Sequence, residues 1–131
     1  MQAFIYVALT PAATYSLPLL DQVKAALPNL AILDLDAKSE ELVQHYALQL
    51  LRNAEQAIVC VKADESINDL TGIMPLLEEL FLEKPNRLVL LQGPHARLQR
   101  MFGARESIKY KVVEEDEVVP EAQLFFSVLL K

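Results

Sequence analysis

Five short apolar runs, each separated from the next by an amphipathic or polar stretch, constrain the fold of this chain more than any other feature. The runs extend over Ala3 to Leu9, Leu30 to Leu35, Ala57 to Lys62, Arg87 to Leu91 and Ile108 to Val113. Short runs of β-branched and aliphatic residues that alternate with helical patterns are typical of a parallel sheet covered by helices on both faces. The sequence therefore predicts an α/β fold.

The connections between the runs narrow this prediction to one topology. Parallel strands joined by right-handed crossovers favour a three-layer, flavodoxin-like domain with a five-stranded parallel sheet in the order 2-1-3-4-5. A length of 131 residues fits one domain, and the chain has no internal repeat or low-complexity tract. We therefore predict a single α/β domain over residues 1–131, with any binding site where strands end and loops begin.

Charge and hydropathy exclude two classes of partner. The net charge is -6, whereas nucleic-acid backbones and anionic membrane surfaces are bound by clustered Lys and Arg. Hydrophobic residues make up 53% of the chain, yet no apolar stretch reaches the roughly 18 to 20 residues that span a membrane. The sequence therefore predicts neither a nucleic acid nor a membrane as a partner.

Cys60 is the one cysteine of the chain, and it lies inside the third apolar run. A lone cysteine excludes a disulfide framework, so a reducing compartment fits the composition. The first residues, Met1 to Phe4, include no basic segment and no signal-peptide pattern. These observations predict a cytoplasmic protein in which Cys60 is a core residue.

The loop after the first run is a candidate ligand site. Phosphates bind in such loops, where free backbone donors meet the helix dipole, and the hydroxyl groups of Thr10, Thr14 and Ser16 are available there. A phosphate cradle usually needs Gly, and this loop has none. Ordinary helix capping by Ser16 is therefore the preferred interpretation. A flavin or nucleotide carrier is an alternative, and no cofactor is predicted.

The second helical segment offers a candidate interaction surface. We predict that its buried stripe consists of Leu42, Val43, Tyr46, Leu50 and Ala54. On the opposite face, His45, Leu48 and Arg52 lie close together at three- and four-residue spacing. An outward Leu on a polar face indicates a self-association or partner surface, although single exposed apolar residues are common.

Two adjacent glutamates on the third helical segment are the carboxylates to compare for acid, base or nucleophile chemistry. The apolar stripe of this segment centres near Leu77 and Leu70, and we expect the regular helix to begin near Pro75. In projection Glu78 borders this stripe, whereas Glu79 points away from it. Glu78 is therefore the candidate catalytic carboxylate, against the alternative of a solvated helix flank.

His95 begins the short helix that is predicted after the fourth run, at the carboxyl edge of the sheet. This position suits a ligand contact, but a surface histidine at a helix start is the preferred interpretation. Asp34 and Asp36 lie on an edge strand and do not converge with other ligands, so no metal site is predicted. We interpret Glu114 to Glu117 as an acidic linker before a closing helix.

Three stretches resemble the nucleoside 2-deoxyribosyltransferase-like group and, more remotely, TIR domains, which share a flavodoxin-like layout. They are Phe4 to Ala8, Asn53 to Val61, and Asp69 to Gly72 followed by Glu83-Lys84-Pro85. In order, they resemble the family's opening strand, its junction between a helix and the third strand, and its Asp-Gly-Thr loop with a closing Gly-Lys-Pro.

The resemblance implies an enzyme that acts on the N-glycosidic bond of a nucleoside or nucleotide, with a Glu on the helix after the third strand. That position falls at or near Pro75 here, and Glu78 lies about one helical turn further on. The implied pocket lies beside Tyr6, Thr10 and Asp64. Thr14, Ser16 and His95 remain candidate ligand contacts by their own positions in the sequence.

Two functions from different classes follow from these patterns. The first choice is a small cytoplasmic α/β domain that binds a protein partner or a ligand without catalysis, because catalytic constellations are missing and glycines are scarce in the loops. The alternative is an N-glycosidic-bond enzyme, deoxyribosyltransferase-like or NAD-glycohydrolase-like, with Glu78 as its carboxylate. The candidate partners are another protein, a second copy of the chain or a small nucleotide-like ligand.

Overall fold

A parallel sheet forms the centre of the molecule, as the apolar runs predict. The computed structural model describes residues 2–9, 17–36, 41–64, 70, 73–82, 86–93, 95–105 and 108–127. The strands are β1 Gln2–Leu9, β2 Ala31–Asp36, β3 Gln56–Ala63, β4 Arg87–Gln92 and β5 Lys109–Val113. They form one five-stranded parallel sheet in the order β2-β1-β3-β4-β5, so the flavodoxin-like topology is confirmed.

Helices connect the strands and cover both faces of the sheet. They are α1 Leu17–Ala26, α2 Glu41–Asn53, α3 Met74–Leu80, α4 Ala96–Gly103 and α5 Glu115–Ser127. Pro18 and Pro75 each lie in the first turn of a helix, where the missing backbone N–H leaves no hydrogen bond unmade. Within the described ranges, no helix combines the length and the apolar character that a membrane span requires.

Side chains of the central strands alternate between two apolar cores. One core lies between the sheet and α2, α3 and α4, and it includes Ile5, Val59 and Val89. The other lies between the sheet and α1 and α5, and it includes Ile58 and Leu90. Because both faces of these strands are buried, their sequences are continuous apolar runs rather than alternating ones.

The face of α2 that meets the core differs from the predicted stripe. Ala47 and Leu51 are fully buried, whereas Leu42 and Tyr46 are exposed. Val43, which belongs to the predicted stripe, is partly buried against the same core. The prediction that Leu42 and Tyr46 are buried is therefore wrong. Ala47 and Leu51 are four residues apart and share one helix face, which leaves the larger Tyr46 ring one position outside it.

The acidic segment from Glu114 to Glu117 starts a helix and is not a linker. α5 begins at Glu115, and the backbone N–H of Glu114 donates to Glu117 Oε1 at 2.9 Å. This hydrogen bond is one half of a capping box, and acidic side chains in the first turn interact favourably with the helix dipole. The linker prediction is wrong. A run of acidic residues is compatible with a solvated loop, but it also stabilises the first turn of a helix, and here it does the latter.

Candidate functional site

Glu79 of α3 is a buried carboxylate between two arginines. Its Oε1 accepts a hydrogen bond from Arg52 Nε at 2.8 Å, and its Oε2 accepts one from Arg87 Nη2 at 3.0 Å. The side chains of Glu79 and Arg87 are only 2% and 9% exposed, whereas that of Arg52 is 46% exposed. Because both carboxylate oxygens are paired with guanidinium groups, the buried charge is compensated.

Arg87 also binds the ends of two helices. Its Nη1 donates to the carbonyl oxygen of Glu79 at 3.1 Å, and its Nη2 donates to that of Leu51 at 3.3 Å. These carbonyls lie in the last turns of α3 and α2, where intrahelical donors are lacking. Arg87 begins β4 at the amino edge of the sheet, opposite the edge where α/β folds bind ligands. The cluster of Glu79, Arg87 and Arg52 therefore stabilises the fold.

The positions of the two adjacent glutamates are the opposite of the prediction, because Glu78 is exposed and Glu79 is buried. The projection that favours Glu78 counts Leu70 as helical, whereas α3 begins only at Met74. The buried apolar residues within the helix are Leu76, Leu77 and Leu80. Around this shorter stripe Glu79 is at the border and Glu78 points to solvent. The role of Glu78 as a catalytic carboxylate stays a prediction.

A second polar cluster lies at the amino edge of the sheet, below α5. Gln2 Nε2 donates to Gln56 Oε1 at 2.6 Å and to the carbonyl oxygen of Phe126 at 3.2 Å. Gln56 Nε2 donates to the carbonyl oxygen of Phe125 at 3.3 Å. Both carbonyls lie in the last turn of α5, where helical carbonyls need outside donors. The two glutamines are neighbours in the strand register, so paired amides at the strand starts hold the end of this helix.

The residues predicted to surround a ligand are divided between described and undescribed parts of the chain. Tyr6 of β1 is buried in the core below α1 and α5, and Asp64 is half-buried just after β3. Thr10, Thr14 and Ser16 lie outside the described residues. The predicted phosphate site and the pocket implied by the family resemblance therefore stay predictions.

His95 is the N-cap of α4, and it is only 1% exposed. Its Nδ1 accepts a hydrogen bond from the backbone N–H of Leu98 at 3.2 Å, and its own backbone N–H donates to Gln99 Oε1 at 3.2 Å. This reciprocal pair resembles a capping box in which His replaces the usual Ser or Asp. The preferred prediction of a surface histidine is wrong, because the capping bond holds the ring against the first turn of α4.

Gln92 ends β4 with one buried acceptor unsatisfied. Its Nε2 donates to Glu115 Oε1 at 3.4 Å, whereas its Oε1 has no hydrogen-bond partner in the described part of the chain. A buried polar atom without a partner costs about 1–3 kcal/mol. Gln92 was not predictable as a notable residue, because a glutamine at a strand end has no signature of its own in the sequence.

Cys60 is a core residue of β3, as predicted. Burial raises the pKa of its thiol to about 12. The thiolate is the nucleophilic form of cysteine, so this side chain is unreactive at neutral pH.

The predicted surface on α2 is not a uniform exposed patch. His45 is exposed, and its ring lies 6.4 Å from that of Tyr46. Leu48 is half-buried, and Arg52 is bound to the buried carboxylate of Glu79. The large exposed apolar residues of this helix are instead Leu42 and Tyr46. A role of His45, Leu48 and Arg52 in association stays a prediction.

An open groove of about 470 Å³ lies between β5 and α5. Its lining residues are Leu88, Ile108, Lys109, Tyr110, Lys111, Glu121, Leu124 and Phe125. The groove forms because α5 packs mainly against α1 and β4, so the residues of β5 before Val113 are only half-buried or exposed. Four of the lining side chains are purely apolar, and Leu124 is 61% exposed. We call this region the β5–α5 groove.

β5 is an edge strand, and among the described residues no strand pairs with its outer side. The register places Lys109 beside Leu88, a residue of the core below α1 and α5. Lys111 lies two positions further on and therefore faces the same side, toward the groove. Val112 faces the other side of the sheet and is 46% exposed. The outer backbone groups of β5 therefore have no partner strand among the described residues, and they lie directly beside the groove.

Charge is unevenly distributed around the groove. Residues 96–113 include five basic side chains and one acidic side chain, although the whole chain has a net charge of -6. Lys111 Nζ pairs with Glu121 Oε2 at 2.9 Å, a contact that joins β5 to α5. Lys109 has no ion pair within the described ranges. The guanidinium of Arg105 lies 4.0 Å above the ring of Phe81. The α4–β5 region is therefore basic within an acidic protein.

Comparison with known proteins assigns no family to this chain. No family model matches it, and no curated protein is similar to it in sequence. The resemblance to nucleoside 2-deoxyribosyltransferases stays a prediction, and the functional proposal depends on the geometry described above.

Proposed function

We propose that this domain is a non-catalytic module that binds another protein through the β5–α5 groove. The observation that supports the proposal is an edge strand, whose outer side pairs with no strand of the described residues, directly beside a groove with an apolar wall. Contiguous exposed apolar surface often marks a binding site, and a free sheet edge can pair with a strand from another chain. Extended peptides bind in this way to several classes of recognition domain.

Buried polar side chains elsewhere in the described residues have structural roles, which also supports a binding function. Glu79 and Arg87 join two helix ends, and His95 caps a third helix. Cys60 is held as a thiol in the core. These are side-chain types that enzymes use as acids, bases or nucleophiles, yet each is enclosed by packing rather than open to a substrate.

Selection of binders from a random peptide library displayed on phage tests the proposal without requiring that the partner be identified first. Leu124→Asp places a charge at the apolar wall of the groove, whereas Leu82→Asp places the same charge at a residue outside it. The two leucines are matched, since they are 61% and 60% exposed. We expect the wild type and Leu82→Asp to bind the selected peptides equally, and Leu124→Asp to bind them about tenfold more weakly or worse.

Thermal unfolding of both variants is the control, because an exposed leucine should be replaceable without loss of the fold. A library that yields no binder contradicts the proposal. It is also contradicted by binders whose affinity falls equally in Leu82→Asp and Leu124→Asp, since the groove is then not the binding surface.

Catalysis at an N-glycosidic bond is the alternative function. It predicts release of a free base from a nucleoside substrate, whereas a non-catalytic module predicts none. We expect the purified protein to release no free base from nucleosides, deoxynucleosides or nicotinamide dinucleotides, as measured by chromatography. The reason is that Glu78 is exposed, whereas its neighbours Leu77 and Glu79 are buried. Release of base by the wild type that is abolished in a folded Glu78→Gln variant contradicts the expectation and supports the alternative. Release that persists in this variant shows that Glu78 is not the catalytic group.

A further inference from the structure

We infer that the occupant of the β5–α5 groove is an extended segment of another protein that carries acidic as well as aliphatic side chains. The segment adds to the free edge of β5 as a further strand. This inference rests on the proposed function and specifies the chemistry of the partner.

Backbone geometry supports an extended occupant. A strand that pairs with β5 hydrogen-bonds to the N–H and C=O groups that point away from β4. Its side chains then alternate between the two faces of the sheet. On one face they meet the apolar wall of the groove, which α5 forms with Leu124 and Phe125. On the other face they lie beside Val112, which is exposed.

The charge of the strand supports an acidic occupant. Lys109 and Lys111 are both exposed on the groove side of β5. Opposite charges on neighbouring strands stabilise the pairing, and like charges directly opposite each other destabilise it. Arg97 and Arg100 are exposed on α4, which covers the opposite face of the sheet, so the basic groups at the groove itself are the two lysines. Acidic side chains of a partner would therefore be attracted to this edge, and the attraction would also speed association.

The same lysines argue against a second copy of the chain as the occupant. Pairing of β5 with its own copy brings the strands Lys-Tyr-Lys-Val-Val together, so that lysines of both copies approach along one short edge. Lysine on an edge strand is a common protection against self-pairing. Because Lys111 already pairs with Glu121, an acidic segment supplies a counter-charge chiefly to Lys109, which a second copy would repel.

The peptides selected from the phage library are the probes for this inference. We expect their sequences to be enriched in Asp and Glu over Lys and Arg. One selected peptide is then synthesised in three forms. The first is unchanged, and the second has its acidic residues replaced by lysine. In the third, alternate backbone nitrogens are methylated, which removes the N–H groups that would hydrogen-bond to β5. We expect only the unchanged form to bind, as measured by fluorescence anisotropy.

Variants of the protein complete the test. Lys109→Glu should weaken binding of the unchanged peptide about tenfold at low salt, and the loss should shrink at high salt. The matched control is Lys24→Glu on the exposed surface of α1, for which we expect unchanged affinity. Bound peptide should also slow hydrogen exchange at amides of β5, which a peptide lying only on α5 would not do.

The failure of this inference is distinct from the failure of the proposed function. Selected peptides that need Leu124 but are neutral or basic, or that tolerate backbone methylation, overturn the inference and leave the groove as a binding surface. A dimer detected by light scattering that competes with the peptide and is abolished by Leu124→Asp assigns the groove to a second copy. That result also overturns the inference.

Discussion

Replacement of Glu79 with Ala is expected to lower the free energy of unfolding by about 3–5 kcal/mol, because it leaves a buried arginine without its counter-charge. Arg87 is 9% exposed, and its guanidinium would keep only its bonds to helix-end carbonyls. The measurement is urea denaturation followed by circular dichroism, with the midpoint and slope compared with those of the wild type. The same substitution also frees Arg52, which at 46% exposure can be solvated.

Glu78→Ala is the matched control for this prediction, because it removes the same side chain from the neighbouring exposed position. We expect its effect to stay within about 0.5 kcal/mol. Equal destabilisation by the two variants would contradict the assignment of Glu79 to a buried cluster. A larger effect of Glu78→Ala would mean that the sequence-based projection of α3 is the correct one.

Phe102→Ala is expected to lower the free energy of unfolding by about 3–5 kcal/mol, since it leaves a cavity in a fully buried site. The Phe102 ring packs between two others, with centroid distances of 6.1 Å to Phe81 and 6.0 Å to Tyr110. It therefore joins α4 to the end of α3 and to β5. Calorimetry should show a lower unfolding temperature with a single cooperative transition.

Phe125→Ala provides the comparison for Phe102→Ala, because it removes the same ring from a half-buried position on the other side of the sheet. Its expected destabilisation is smaller, since less apolar surface returns to water. It should instead weaken peptide binding, because Phe125 lines the groove. A Phe125→Ala variant that is less stable than Phe102→Ala would contradict the packing described for α4 and β5.

Strand positions and topology were predictable from the sequence, because buried parallel strands are short and apolar throughout. The prediction for the third strand, Ala57 to Lys62, lies within the observed β3 Gln56–Ala63. Right-handed connections, which depend on chain chirality, limit the topology to a few doubly wound orders, and the preferred one, 2-1-3-4-5, is confirmed. Pro75 marked the start of α3 for a similarly local reason, since its ring excludes an earlier helical turn.

Helix faces were less predictable, because hydrophobicity alone does not show which apolar residues a helix turns inward. Tyr46 is large and apolar, yet the small Ala47 beside it occupies the core. Glu79 is charged, yet its burial is tolerated because its carboxylate pairs with Arg87 of β4 and with Arg52 of α2. Such long-range partners have no local signature, so a projection of one helix places the wrong glutamate in the interior.

The sequence by itself determined the parallel sheet and the burial of Cys60, since these depend on local apolar runs, and it limited the strand order to the few that right-handed connections allow. Only the tertiary structure decided where the candidate binding surface lies. Leu88, Ile108 and Leu124 belong to three different parts of the chain and become neighbours only after the sheet forms. The groove exists because α5 packs mainly over β4 and α1 and leaves most of β5 uncovered. Periodicity along a chain encodes which face of a helix is apolar, but the strand that a helix leaves uncovered is set by how the layers pack together.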